Sequence, residues 1–187
     1  MVVKELIVDT ETTGLNAKTD RIIELAAIEL IDGKRTLRTF HSYFNPWPVA
    51  VSKGAFGIHA ISNDFLKDKP SFGDCIREFL TLAEDHILIA HNSKFDAEII
   101  NCEMRRCGMN ICLKVKWCDT LKMARRMYPG MSNSLSSLCK RFNIPIDGGP
   151  HGALRDCELL LRVYEMILLE SWKDRLSSCS PLEKRHR

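Results

Sequence analysis

Two acidic residues, Asp9 and Glu11, stand two positions apart at the end of the first apolar run of the chain, Leu6-Ile7-Val8. Side chains two positions apart on a strand point to the same face of a sheet. Two carboxylates held together there without a counter-charge are costly, so the spacing predicts a divalent cation between them. The alternative is that both are solvated acids in the turn before Gly14.

A third acid, Asp96, follows another apolar run, Ile87-Leu88-Ile89-Ala90. We predict that it lies in the first turn of a helix capped by Asn92 or Ser93. The helix dipole favours an ionised carboxylate at that position.

A fourth acid, Asp156, lies on the first turns of a strongly periodic apolar segment, and His151 precedes it in a glycine-rich loop. A separation of five residues rotates helical side chains roughly 140° apart, so His151 can share a site with Asp156 only from the loop. Together, Asp9, Glu11 and Asp156 can hold two hard cations through oxygen, and Asp96 can act directly or through a water.

Five short motifs occur in the order typical of one enzyme family: Asp9-Thr10-Glu11-Thr12-Thr13-Gly14, Ile58-His59-Ala60-Ile61, His91-Asn92-Ser93-Lys94-Phe95-Asp96, Asp119-Thr120-Leu121 and His151-Gly152-Ala153-Leu154-Arg155-Asp156. From about Val3 to Met166 the chain resembles the DnaQ-type 3′→5′ exonucleases of the DEDDh class. Within that class it is most similar to the proofreading epsilon subunits of bacterial DNA polymerase III. Ala60, Gly54 and Cys157 depart from the usual pattern without removing a catalytic group.

The resemblance implies a metal-dependent 3′→5′ exodeoxyribonuclease that releases nucleoside 5′-monophosphates, with two Mg²⁺ or Mn²⁺ ions as cofactors. The implied partners are a single-stranded or frayed DNA 3′ end and the catalytic subunit of a DNA polymerase. The implied metal ligands, also catalytic, are Asp9, Glu11, Asp96 and Asp156, and the implied general base is His151. The implied substrate contacts are Thr12, Leu15, His59 and Phe95.

Several of these residues keep a structural alternative. His59 could be an ordinary loop histidine, and Leu15 and Phe95 could pack in the core instead of touching a base. We expect His91 to support the site through hydrogen bonds. His41 has no acidic or cysteine pattern around it, so we expect a surface or structural role.

The implied fold is an α/β, ribonuclease H-like fold, a mixed five-stranded sheet flanked by helices, and the order of elements agrees with it. The predicted strands are 4–9, 22–31, 36–44, 87–90 and 115–118. The predicted helices are 71–84, 95–107, 121–127, 135–142 and 153–170. We expect residues 1–172 to form the exonuclease domain and 173–187 to form a short, flexible C-terminal tail.

Composition fits an enzyme with one hydrophobic core, since 45% of the 187 residues are hydrophobic and no stretch approaches a membrane span. The first residues contain no basic and apolar leader, so we expect a cytoplasmic protein without a membrane partner. The eight cysteines lack paired metal-type spacing and are predicted to be reduced thiols. A net charge of +3 is too small to indicate nucleic acid by itself.

Three other functions use the same residues or the same fold. The chain could be an exoribonuclease, because nothing in the sequence shows how a 2′-hydroxyl is treated. It could also be a stand-alone DNA repair exonuclease. A noncatalytic scaffold that stabilises a polymerase is the third, although the presence of all five catalytic groups argues against it.

Overall fold

Five stretches of the chain form the strands of one sheet, and three of them, 4–12, 22–31 and 87–90, are rich in branched apolar residues. The computed structural model describes residues 2–109 and 115–178. The strands are β1 (Lys4–Thr12), β2 (Ile22–Ile31), β3 (Lys34–Tyr43), β4 (Ile87–Ala90) and β5 (Lys116–Asp119). The helices are α1 (Lys53–His59), α2 (Asn63–Leu66), α3 (Phe72–Ala83), α4 (Ser93–Arg106), α5 (Thr120–Met127), α6 (Leu135–Arg141) and α7 (Ala153–Ser178).

The sheet is mixed, with the strand order β3-β2-β1-β4-β5. β1, β2 and β3 form an antiparallel meander, and β4 and β5 run parallel to β1. The β2–β3 connection is tight, because Asp32 and Gly33 both adopt positive φ, at 50° and 72°, as the two central residues of a type I′ turn require. The predicted five-stranded mixed sheet is therefore confirmed.

Helices cover both faces of the sheet, which explains why β2 reads as an almost unbroken apolar run. On one face, Leu6, Val8 and Leu25 pack in a core with side chains of α3 and α4. On the other face, Ile7 and Ala26 pack against the first half of α7. The central strand β1 thus lies between two cores.

The helices α1 and α2 were not predicted. Both are short, α1 contains two glycines, and their beginnings are set by side-chain caps from Ser52 and Ser62. Apart from α7, the ends of the other elements lie within about three residues of their predicted positions. A difference of this size is usual for the ends of helices and strands.

Helix α7 continues to Ser178, six residues into the segment predicted as a flexible tail. No proline or glycine interrupts 173–178, so nothing local ends the helix there. Residues 179–187 lie outside the described part, and the domain boundary itself stays a prediction.

The six cysteines in the described ranges are all free, and Cys102, Cys139 and Cys157 are buried as expected. None of the helices in residues 2–109 and 115–178 combines the length and apolarity needed to cross a bilayer.

Candidate active site

The site is built at the end of β1, beyond the last residue that pairs with β4. The β1–β4 ladder extends to Ile7, whereas β1 itself continues to Thr12. Asp9 and Glu11 therefore project from a strand that is still held by β2, where Asp9 lies opposite Ala26 and Glu11 opposite Glu24. Both acids share the face of Ile7, as their spacing predicts.

Asp96 approaches from the neighbouring connection. Because β4 lies beside β1, the helix that follows β4 begins next to the acids, and Asp96 is in its first turn. The Thr10 hydroxyl donates a 2.8 Å hydrogen bond to Asp96 Oδ1 and fixes the carboxylate. The predicted cap is only partly right. Asn92 occupies the N-cap position, but with φ of 75° its side chain makes no capping hydrogen bond.

Asp156 is brought to the site by the packing of α7 on the sheet. The next residue, Cys157, places its Sγ 3.5 Å from the carbonyl oxygen of Ala26, the cross-strand partner of Asp9. Asp156, one residue earlier in the first turn of α7, is buried with only 7% of its surface exposed. The buried Cys157 thiol thus contacts β2, and this contact brings the neighbouring Asp156 to the site.

His151 lies in the loop before α7, as its distance from Asp156 predicts. Its Nδ1 is 2.8 Å from Asp156 Oδ2, and about half of its side chain is exposed. A carboxylate at this position is an acceptor for Nδ1–H, and the ring is then oriented with Nε2 directed away from Asp156. In the neutral imidazole of this orientation, Nε2 is the atom that can accept a proton.

Burial, together with crowding for Asp9 and Glu11, raises the proton affinity of the acids. Burial, followed by the charge of Asp96 and then Glu11, raises the pKa of Asp9 well above its ordinary value. Burial, followed by Asp156 and Glu24, raises the pKa of Glu11 to about 8. Burial also raises the pKa of Asp96 to about 7, against the lowering effect of the Thr10 hydrogen bond. Without a counter-charge, Glu11 and Asp96 thus hold protons near neutral pH.

A divalent cation is the counter-charge that fits this donor set. Ligand atoms of Glu11, His151 and Asp156 lie within 4.8 Å of one another. Oxygen-rich clusters of this kind suit hard cations. The same crowding that raises the pKa of Asp9 and of Glu11 would be relieved by bound positive charge.

The four predicted substrate contacts differ in their surroundings. Leu15 is 86% exposed, so the core alternative for this residue is wrong. Phe95 is partly buried against the core beneath α4. The Thr12 hydroxyl is already bonded to the Gly14 carbonyl oxygen at 2.6 Å. No feature of these surroundings tests a nucleotide contact, which stays a prediction for all four.

His59 is the last residue of α1 and not a loop residue, and only 3% of its surface is exposed. Its Nδ1 accepts a hydrogen bond from the Ile61 N–H at 3.0 Å, so Nε2 carries the proton. Nε2 lies 3.3 Å from the Thr12 carbonyl oxygen. Burial lowers the pKa of this ring. Nε2 thus ties α1 to the end of β1, and Nδ1 fixes the turn that follows α1.

His91 supports the site through hydrogen bonds, as expected. Its Nε2 lies 2.9 Å from the carbonyl oxygen of Asn133 and its Nδ1 lies 3.0 Å from the Thr120 hydroxyl. Burial lowers the pKa of the ring, which favours the neutral form. His91 therefore connects the start of α4 to the segment before α6.

Two residues at the site were missed. Glu24 is buried on β2 opposite Glu11, and its Oε1 lies 2.7 Å from Nε2 of His41. His41 thus has an acidic partner that its sequence neighbours do not reveal. Thr10 was passed over between two acids although it orients Asp96. An acid inside the apolar run 22–31 was the one available signal for Glu24.

Comparison with known proteins gives the same class. The family model for exonucleases of the RNase T type matches residues 6–164. The DNA polymerase III epsilon subunit of Rickettsia felis is 43% identical over 166 residues, which are 86% of this chain and 72% of that protein.

Two solved structures share the fold. Exonuclease X, in complex with 5′ overhanging duplex DNA, superposes with a TM-score of 0.71 at 29% identity, over 89% of this chain and 92% of that one. The nuclease domain of 3′hExo, a DEDDh family member bound to rAMP, superposes with a TM-score of 0.76 at 18% identity, over 89% and 92%.

The chain belongs to the RNase T-type exonuclease family. It is a nuclease that hydrolyses phosphodiester bonds, and its fold is ribonuclease H-like. The predicted family, fold, exonuclease function and enzyme class are thereby confirmed.

Proposed function

We propose that this exonuclease is a metal-dependent 3′→5′ exodeoxyribonuclease that releases nucleoside 5′-monophosphates and proofreads for a bacterial replicative DNA polymerase. The observation that carries the proposal is the convergence of Asp9, Glu11, Asp96 and Asp156, with His151 hydrogen-bonded to Asp156. The name of the 43% identical relative, a DNA polymerase III epsilon subunit, supports DNA as the substrate and a polymerase as the partner. Such an enzyme would work in the cytoplasm.

Two Mg²⁺ or Mn²⁺ ions are the proposed cofactors. Asp9, Glu11 and Asp156 would hold one ion, and Asp9 and Asp96 would hold the other. When bound, the ions would supply positive charge that acidifies a water and stabilises the negative charge developing on the phosphate.

His151 is the proposed general base. With Nδ1–H directed at Asp156, Nε2 of the half-exposed ring can take the proton of the attacking water as the water oxygen bonds to the terminal phosphorus. The bond from phosphorus to the 3′ oxygen of the preceding nucleotide breaks, and that oxygen takes a proton from solvent. Asp156 stabilises the imidazolium that results, as a carboxylate partner does in other histidine bases. Leu15, exposed just after the end of β1, is the proposed contact to the terminal base.

A strand-resolved cleavage assay tests the proposal. Oligonucleotides labelled at the 5′ end are incubated with Mg²⁺, Mn²⁺, Ca²⁺ or excess chelator, as single-stranded DNA, as duplexes with matched or mismatched 3′ ends, and as RNA of the same sequence. We expect shortening from the 3′ end with Mg²⁺ or Mn²⁺, fastest on single-stranded and mismatched ends, and poor cleavage with Ca²⁺, whose looser geometry positions the reacting groups badly.

The matched variants are Asp156→Asn, which should abolish turnover, and Asp68→Asn, which makes the same change at an exposed position of the described chain. Undiminished cleavage in excess chelator would refute the proposed metal requirement. Preferential digestion of RNA would make the enzyme an exoribonuclease, and an inactive wild-type protein would favour a scaffold.

A further inference from the structure

The loop that carries His151 has little packing of its own. An added Cβ at Gly148 or Gly149 would meet no atom within 4 Å. A cavity of about 160 Å³ lies between this loop and α6 and α7, bounded on the helical side by Leu135 and Leu159. Side-chain packing therefore does not fix the position of residues 147–150.

One side chain of α7 reaches back to this loop. Arg155 Nη1 donates to the carbonyl oxygens of Gly149 at 3.0 Å and Pro150 at 2.8 Å, and Nη2 donates to that of Asp147. Helical side chains lean towards the N-terminus of their helix, so the third residue of α7 is well placed for this. The planar guanidinium presents several donors in fixed directions, which allows one side chain to join three carbonyls.

The far end of the loop has two other ties, both through His151. Its backbone N–H donates to the Ile58 carbonyl oxygen at 3.1 Å, and its ring bonds to Asp156. Arg155 is adjacent to Asp156 in the same helical turn. The contacts of Arg155 thus fix the loop to the same rigid element that carries the partner of His151.

We propose that Arg155 is a positioning residue, which clamps the 147–150 loop so that His151 is held over Asp156 in the orientation needed to accept a proton. This rests on the proposed role of His151 as general base. A base displaced by about 1 Å can lose on the order of 100-fold in rate, so a loop contact of this kind can decide catalysis without touching the substrate.

Three variants of the 187-residue chain test the clamp. Arg155→Leu removes every donor, and Arg155→Lys keeps the charge but gathers its donors on one nitrogen. Arg162→Leu makes the first change at an exposed position further along α7 and serves as the control. The measurements are kcat and KM on single-stranded DNA with Mg²⁺, and hydrogen exchange of the His151 amide by NMR without added metal.

We expect Arg155→Leu to lower kcat by about tenfold or more with little change in KM. In the His151→Ala background, adding Arg155→Leu should not lower kcat further. The His151 amide should lose protection in Arg155→Leu, Arg155→Lys should lie between that variant and the wild type, and Arg162→Leu should match the wild type.

Three results would overturn the clamp: unchanged kcat and protection in Arg155→Leu, an equal loss of kcat in the His151→Ala background, or a raised KM at constant kcat, which would make Arg155 a substrate contact. If His151→Ala itself keeps normal turnover, the proposed general base is wrong. The clamp is then judged on amide protection alone, and unchanged protection refutes it.

Discussion

Replacing Glu11 with glutamine should stabilise the metal-free protein at high pH while abolishing its activity. The change keeps the size of the side chain and removes one of the crowded charges at the end of β1. Burial and the neighbouring carboxylates, Asp156 and Glu24 first among them, raise the pKa of Glu11 from 4.5 to about 8. The folded protein therefore keeps a proton that the unfolded chain has released.

The direction and size of the effect follow from linkage. Between pH 4.5 and about 8 the folded state binds more protons at Glu11 than the unfolded state does, so the stability contributed by this group falls as the pH rises. At about 1.4 kcal/mol for each pKa unit, the upper limit is about 5 kcal/mol. Glu11 is partly exposed, and solvent screening reduces this to an expected 1–2 kcal/mol, or roughly 2–8 °C in Tm.

Thermal unfolding in excess chelator at pH 5 and pH 9 measures this. We expect Glu11→Gln to melt above the wild type at pH 9 and close to it at pH 5. Glu98→Gln, the same change at an exposed position of α4, should match the wild type at both. Saturating Mg²⁺ should reverse the order, because binding to the native site stabilises the wild type. A Glu11→Gln protein that melts lower than the wild type at pH 9 in chelator would refute the crowding argument.

Three further substitutions test other parts of the molecule. His151→Ala should lower kcat by about 10²- to 10⁴-fold while Mn²⁺ affinity, measured by titration, changes little; a large loss of affinity would make His151 a ligand instead. Leu15→Ala should raise KM for single-stranded DNA about fivefold, as expected for the loss of an apolar contact of about 1 kcal/mol, with an unchanged Tm; an unchanged KM would remove Leu15 from the substrate contacts. Glu103→Ala should destabilise the fold by about 3–5 kcal/mol in denaturant unfolding, because fully buried Glu103 pairs with Arg21 at 2.6 Å and Arg106 at 3.0 Å. A loss of stability below about 1 kcal/mol would contradict a structural role for these two ion pairs.

The parts of the site that the sequence predicts are those fixed by short-range geometry. Asp9 and Glu11 share a face because β1 is extended, and this needs only a period of two. Asp96 lies in the first turn of α4 because a helix must begin soon after β4 ends. His151 reaches Asp156 from a loop because helical rotation forbids the alternative.

The parts that the sequence does not predict depend on register and on long-range contacts. Glu24 lies opposite Glu11 only in one pairing register of β1 and β2, and His41 reaches Glu24 only in one register of β2 and β3. A shift of one residue in either ladder would reverse the faces. The burial of His59 could not be predicted for a related reason. It depends on a long-range contact, in which α1 packs against Thr12, 47 residues earlier in the chain.

The buried acids of this protein show where the fold concentrates charge repulsion. Glu103 and Glu29, buried elsewhere, have basic or hydrogen-bonding partners: Arg21 pairs with the first, and Arg38 with the second. Hydrogen-bonding and basic partners lower the pKa of Glu29 against the effect of its burial, whereas burial and then acidic neighbours raise the pKa of Glu11. The chain can therefore neutralise a buried carboxylate, and the repulsion is concentrated at one end of β1. A cluster held in repulsion by two rigid cores favours binding of a multivalent cation, which is the use that an exonuclease would have for it.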